Sequence, residues 1–176
     1  MAARKTAMFT LTERLTITAA STDTFATIDL GSYVDVGDRQ ALQVHSVDFI
    51  FQGLNANSQI VSALNADNSA LIQVTDLNRG GLVFCNDRAL VASAAIYKAA
   101  SSAGLYIEAD QYPDNFGKGA DDGRYVVNDQ LYISGRVTGL ASNQAVNCTV
   151  RVNASIVTLG AKDFMAIAIQ STAADN

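Results

Sequence analysis

The stretch Ala145 to Leu159, AVNCTVRVNASIVTL, most constrains what this chain can fold into. Val146, Cys148, Val150, Val152, Ala154 and Ile156 are apolar or small, while Asn147, Thr149, Arg151, Asn153 and Ser155 between them are polar. A side-chain period of two predicts a strand with one buried and one wet face. At about 3.3 Å per residue such a strand spans roughly 35 Å, which requires a large sheet beside it.

The rest of the chain supplies that sheet. Residues 8–19 place Phe9, Leu11, Leu15, Ile17 and Ala19 on one side and threonines with Arg14 on the other, a Thr-rich strand. Glu13 interrupts the apolar row and marks an edge or an interface. After the turn cluster at 21–24, Ala26, Ile28 and Leu30 make a short strand, followed by a loop from Gly31 to Gln40. Residues 41–52, ALQVHSVDFIFQ, read as a second strong strand. Its apolar phase shifts from Leu42 and Val44 to Val47, Phe49 and Phe51, which predicts a bulge or burial on both faces, with His45 at the shift. With no second histidine to build a triad or metal site, His45 reads as structural.

Residues 53–69 read as a long connection containing a short apolar piece at Ile60-Val61. Leu71 to Thr75 and Leu82 to Cys85 read as two short strands about Asn78-Arg79-Gly80-Gly81, a hairpin-like signal. Alanine then dominates residues 88–103. Leu90, Ala94, Tyr97 and Ser101 fall at helical spacing, Asp87 can cap the start and Gly104 can end it, so this segment is expected to be an inserted helix. Leu105 to Ile107 resumes strand, and 110–124 is a loop. Residues 130–138 alternate again, with Leu131, Ile133 and Val137 inward and Gly135 among them, and are expected to pair with the long strand as an antiparallel hairpin. After Gly160, Phe164, Ile167 and Ala168 favour a short helix. A strand through Phe164, Ala166 and Ala168 is the alternative, which Lys162-Asp163 interrupts.

About eight strands with long connections predict a mainly β chain: one domain over residues 1–176, an antiparallel β-sandwich of jelly-roll type with its terminal strands side by side. An immunoglobulin-like sandwich would be shorter and would lack the helix. Apolar residues make up 49% of the chain, enough for a core without metal or disulfide help. The two cysteines, Cys85 and Cys148, are expected to be reduced and buried, a disulfide being the minor alternative. The sequons at Asn147 and Asn153 read as coincidences of a polar strand face, since the N-terminus lacks the apolar core of a secretory signal. No run is long and apolar enough for a membrane span.

Charge narrows the function classes. Only 16% of residues are charged and the net charge is −5, so Ser, Thr, Asn, Gln and Ala must cover much of the surface. Surfaces thin in charge suit contact with other protein surfaces, and Asn147, Arg151 and Asn153 on the outer face of the long strand are the expected assembly interface. The acidic balance speaks against strong nucleic-acid binding, which needs clustered Lys and Arg. No catalytic constellation appears, so the chain is not expected to be an enzyme, nor to carry a cofactor. Asp110, Asp114, Asp121 and Asp122 are the carboxylates available to calcium, but their spacing matches no EF-hand and a solvated loop is the plainer reading.

The Thr-rich opening strand, QALQVHSVDFIFQ, the alanine segment after LVFCNDR and the closing QLYISGRVTG…CTVRVNASIVTLGAKDFM together resemble a single jelly-roll viral capsid protein. The resemblance covers most of the length as a pattern of strands rather than a diagnostic motif. It implies a coat subunit found in the virion and made in the host cytoplasm, many copies of which assemble through trimers or pentamers into an icosahedral shell, with or without other capsid proteins. The long basic arm of many such coats is absent, so another protein packages the genome or the shell is built differently. The alternatives are a ligand- or carbohydrate-binding β-sandwich module, which the lack of tryptophan weakens, and a tail or filament subunit.

Overall fold

The computed structural model describes residues 3–53, 63–101, 104–113, 115–117, 123–141 and 144–172. The strands in chain order are β1 (Ala3–Arg4), β2 (Phe9–Ile17), β3 (Thr24–Asp29), β4 (Gln40–Gly53), β5 (Asn68–Thr75), β6 (Leu90–Ser101), β7 (Gly104–Tyr112), β8 (Arg124–Val126), β9 (Gln130–Val137) and β10 (Val146–Thr158), followed by helix α1 (Ala161–Thr172). They form two five-stranded antiparallel sheets. Sheet A runs β1-β10-β4-β8, with β2 beside β10 on the same edge as β1, and sheet B runs β3-β9-β5-β6-β7.

The pairing is nested. β2 pairs with β10, β3 with β9, β4 with β8 and β5 with β6. The chain is therefore one long hairpin, rolled so that successive rungs fall in alternate sheets. That is a jelly roll. The two strands with the cleanest alternation close it: Ile17 stands opposite Val146 and Phe9 opposite Ala154.

The expected period-two faces hold. Leu11, Leu15 and Ile17 of β2 and Val146, Cys148, Val150, Val152, Ala154 and Ile156 of β10 are buried in the shared core with Ile72, Val74, Leu131 and Ile133 from sheet B. Gly135 lets the sheets approach, since a Cβ there would lie 2.5 Å from Leu15 Cδ2 and 3.1 Å from Ile17 Cδ1. The phase shift in β4 is a bulge: Asn153 faces Ser46 and Ala154 faces Val44, leaving His45 as the extra residue.

Four expectations are corrected. Residues 90–101 are strand β6, not an inserted helix, and Gly104 opens β7 instead of ending a helix. Ala92, Ala94 and Ile96 stand opposite Val74, Ile72 and Ala70, so the segment does alternate. Alanines on both faces hide the contrast, and pairing on two sides outweighs alanine's helix propensity. Leu82 to Cys85 is not a strand. Residues 76–88 form a loop in which the Gln73 side chain takes the place of a strand neighbour, its Nε2 donating to the Val83 carbonyl (2.8 Å) and its Oε1 accepting from the Val83 N–H (2.7 Å). β9 and β10 do not pair as a hairpin but lie in opposite sheets. After β9 the Thr138 N–H donates to Ser69 and the Ala141 N–H to Ala63, so the chain stays beside the β5 side before crossing to sheet A. Finally, both cysteines are free, but only Cys148 is buried; Cys85 is exposed. The expected Ile60-Val61 piece lies outside the described residues.

The C-terminal segment is helical, as favoured. Phe164, Ile167 and Ala168 of α1 pack on Ala41, Val127, Val157 and Leu159, a second small core on the outer side of sheet A. Asp163 sits in the helix's first turn, where the backbone dipole favours a negative charge. None of the helices in the described residues is long and apolar enough to cross a membrane.

Candidate assembly surfaces

The outer face of sheet A is a row of polar side chains that satisfy one another. Thr16 Oγ1 donates to Asn147 Oδ1 at 2.7 Å, and Thr10 Oγ1 donates to Asn153 Oδ1 at 2.6 Å. Asn153 Nδ2 in turn donates to Ser46 Oγ at 2.8 Å and to Asp48 Oδ2 at 3.3 Å. The polar positions of β10 therefore stitch β2 to β4 across the sheet. Of the three residues singled out in the sequence, Asn147 is buried and Asn153 half-buried in this network, whereas Arg151 is exposed, opposite Thr12 and Asp48. The structure brings all three onto one face but commits the two asparagines to in-sheet bonds.

At its far end the same face is closed. Ser155 is fully buried, its Oγ 2.9 Å from His45 Nε2 and 3.4 Å from Gln43 Oε1. A serine beside a histidine invites comparison with an activated nucleophile. With no exposure Ser155 cannot meet a substrate, and burial, with the charge of Arg4, holds His45 below the usual histidine range. The pair pins the bulge.

The calcium candidates are not brought together in what is described. Asp110 lies on β7 opposite Ala95, and Asp114, Asp121 and Asp122 lie outside the described residues. Among the described residues no group of three or more His, Cys, Asp or Glu side chains could hold a metal ion.

The outer face of sheet B is organised differently. It is partly covered by the 76–88 loop, which is pinned at several points. Besides the Gln73 clamp, the Gly80 N–H donates to Asn78 Oδ1 (3.0 Å) and Asp87 joins Arg79 Nη2 (2.9 Å) to the Ala89 N–H (2.8 Å). Asp76, 2% exposed, accepts from Arg124 Nη2 of β8 at 3.0 Å, and the same Nη2 reaches the Arg88 carbonyl. Burial pushes the Asp76 carboxyl above its usual range, with Arg124 opposing that shift.

Two apolar features stand on this pinned frame, and neither was evident in the sequence. Phe84, at the loop tip, is 87% exposed. Leaving a phenyl ring in water forgoes about 1.5–3 kcal/mol that burial would contribute. Beside the loop lies an open cleft of about 340 Å³ between edge strand β3 and β9, lined by Phe25, Thr27, Tyr132 and Ser134 with Asn78 and Gly80 of the loop. Phe84 was hidden because LVFC reads as core in any pattern argument, and only the side-chain clamp at Gln73 turns it outward. Exposed Phe25 was legible in principle, since the alternation of Ala26 and Ile28 places it on the outer face.

No family model matches the chain, and no curated protein matches it. Among solved structures the chain is similar to the VP1 of trichodysplasia spinulosa-associated polyomavirus, solved in complex with sialylated precision glycooligomers. The TM-score is 0.43 at 10% identity, covering 89% of this chain and 98% of that one. It is similar also to the unassembled VP1 pentamer of Merkel cell polyomavirus, with a TM-score of 0.43 and 8% identity over 90% and 98% of the two chains. Desmodium yellow mottle tymovirus gives 0.32 at 9% identity over 88% and 90%. What makes this chain a jelly roll is its own nested strand pairing.

Proposed function

We propose that the protein is the repeating subunit of an icosahedral virus shell, a major capsid protein made in the host cytoplasm and carried in the virion. The observation that carries this reading is the surface. Over 9260 Å² of accessible area, 12 basic and 17 acidic side chains are spread thinly among neutral ones. Large apolar side chains such as Met8, Phe25, Phe84 and Met165 stand more than half exposed. A self-sufficient core with so neutral and sticky an exterior suits a unit that meets copies of itself many times over. Repeated weak contacts between symmetric copies then add up to a closed particle.

The role is structural rather than catalytic: the histidine is spent on the β4 bulge and its serine partner is sealed. One assembly surface is the outer face of sheet A around Arg151, flanked by Asn147 and Asn153, where in-sheet bonds hold the polar side chains in one geometry before any partner arrives.

Electron microscopy and size-exclusion chromatography of the purified protein test the reading. Uniform closed particles, or the small oligomers that build them, are expected. Protein that stays as single copies at high concentration overturns it.

A further inference from the structure

Phe84 and the Phe25–Tyr132 cleft are a knob and a socket on one face of one molecule. Gln73, Ser134 and Phe25 form a single cross-strand row on β5, β9 and β3. The Gln73 clamp holds Val83, and hence its neighbour Phe84, above one end of that row, while the cleft opens at the other end. Two inter-strand spacings, about 10 Å, separate the clamp from Phe25. Phe84 is 87% exposed and so does not fill the cleft of its own chain.

We infer that the outer face of sheet B is a two-fold interface in which Phe84 of each copy enters the Phe25–Tyr132 cleft of the other. A knob and a socket side by side on one face satisfy each other in both directions when a second copy is turned by half a rotation about an axis through that face. The volume fits, since a cleft of about 340 Å³ accepts a phenyl ring with room for its backbone turn. The electrostatics fit as well. The row Ser93, Gln73, Ser134 and Phe25 and the row Thr75, Tyr132 and Thr27 carry no charge. The adjacent charges of Asp23 and Arg136 are already joined by two bonds of 2.5 and 2.8 Å. No residue lining the cleft is charged, so filling it strands no unpaired ion. The loop is pinned before contact, so little ordering opposes association.

This contact rests on the self-assembly reading and adds a second surface to it. The test uses the full chain, with association followed by sedimentation velocity over a concentration series and folding followed by circular dichroism. Phe84→Ser removes the knob, and Thr27→Trp, at an exposed position of the cleft wall, fills the socket without altering any residue of the loop. Each is expected to raise the concentration for half-association at least about tenfold with an unchanged spectrum. The double variant should be no worse than either single one, because both break the same contact. If wild-type associates and Phe84→Ser associates equally well, the knob-and-socket interface is wrong while the assembly reading stands. If the two losses simply add, they belong to different contacts and this interface is again wrong. If wild-type itself does not associate, the assembly reading falls and this interface with it.

Discussion

The two sheets share an inner layer but treat their outer faces in opposite ways. Sheet A is stitched by its own side chains: Thr10, Thr16, Asn147, Asn153 and Ser46 hydrogen-bond across strands, and α1 closes one end. Sheet B turns mostly neutral side chains outward around the Asp23–Arg136 pair and lays the 76–88 loop over part of them, with Phe84 projecting and a cleft beside it. The lesson is that alternation determines which side chains go in, whereas an outer face can be completed within the sheet, by a covering loop, or by another molecule. On sheet A the outer polar side chains are held by one another, whereas sheet B leaves a knob and a cleft unfilled.

That contrast can be broken most severely at the ion pair that ties the sheet B loop to β8 of sheet A. Arg124→Ala leaves the Asp76 carboxylate buried without its counter-charge and is expected to cost about 3–5 kcal/mol of stability at neutral pH. The sign of its pH dependence follows from Asp76, whose folded pKa already lies above its unfolded value. A raised folded pKa means that the folded state holds the proton more tightly. Its contribution to stability is therefore full below the unfolded pKa and is lost as pH rises through the folded one. The defect should shrink between urea titrations at neutral and mildly acidic pH, and a cost that stays constant would remove Asp76 as its source.

A smaller loss is expected in the layer that both sheets share. Gly135→Val drives new methyls toward Leu15 and Ile17 and should cost about 1–3 kcal/mol by thermal or urea unfolding. A neutral result would mean that the sheets slide apart easily and are less closely coupled than their packing indicates.

Arg151→Glu sharpens the comparison on the sheet A side. The residue is exposed, so unfolding should move by no more than about 0.5 kcal/mol. Particle formation, counted by electron microscopy, should be blocked if that face meets a neighbour. Normal assembly of this variant would confine association to other surfaces.

The gentlest probe perturbs nothing. Burial pushes the Cys148 thiol, beneath sheet A, up to about 12, while Cys85 stands exposed beside Phe84. A thiol reagent at pH 8 should titrate one cysteine in the native monomer and two after denaturation. Protection of Cys85 on association would place the 76–88 loop at a contact.

Much of the framework is legible in the sequence. β2 and β10 announce themselves because polar and apolar side chains alternate along them, with Glu13 the one break in the apolar row of β2. The phase change at His45 was legible as a bulge or as burial on both faces, and the register of β4 against β10 makes it a bulge. The helix after Gly160 was legible from Phe164, Ile167 and Ala168. The site was less so: Arg151, Asn147 and Asn153 fall on one face as expected, but Phe84 and the cleft arise from a loop whose anchor, Gln73, carries no special signal.

Local pattern by itself determined which residues of β2, β4, β9 and β10 face the core, because a strand's period of two is a property of the backbone. Tertiary structure alone decided that alanine-rich residues 90–101 extend between β5 and β7, since alanine gives no contrast between faces and neighbouring strands supply the hydrogen bonds. It also decided that β9 and β10 part into opposite sheets, because adjacency in sequence does not say which earlier strand offers the better edge. Only the folded molecule could set Phe84 outward, where a side-chain amide ten residues away clamps the turn that carries it.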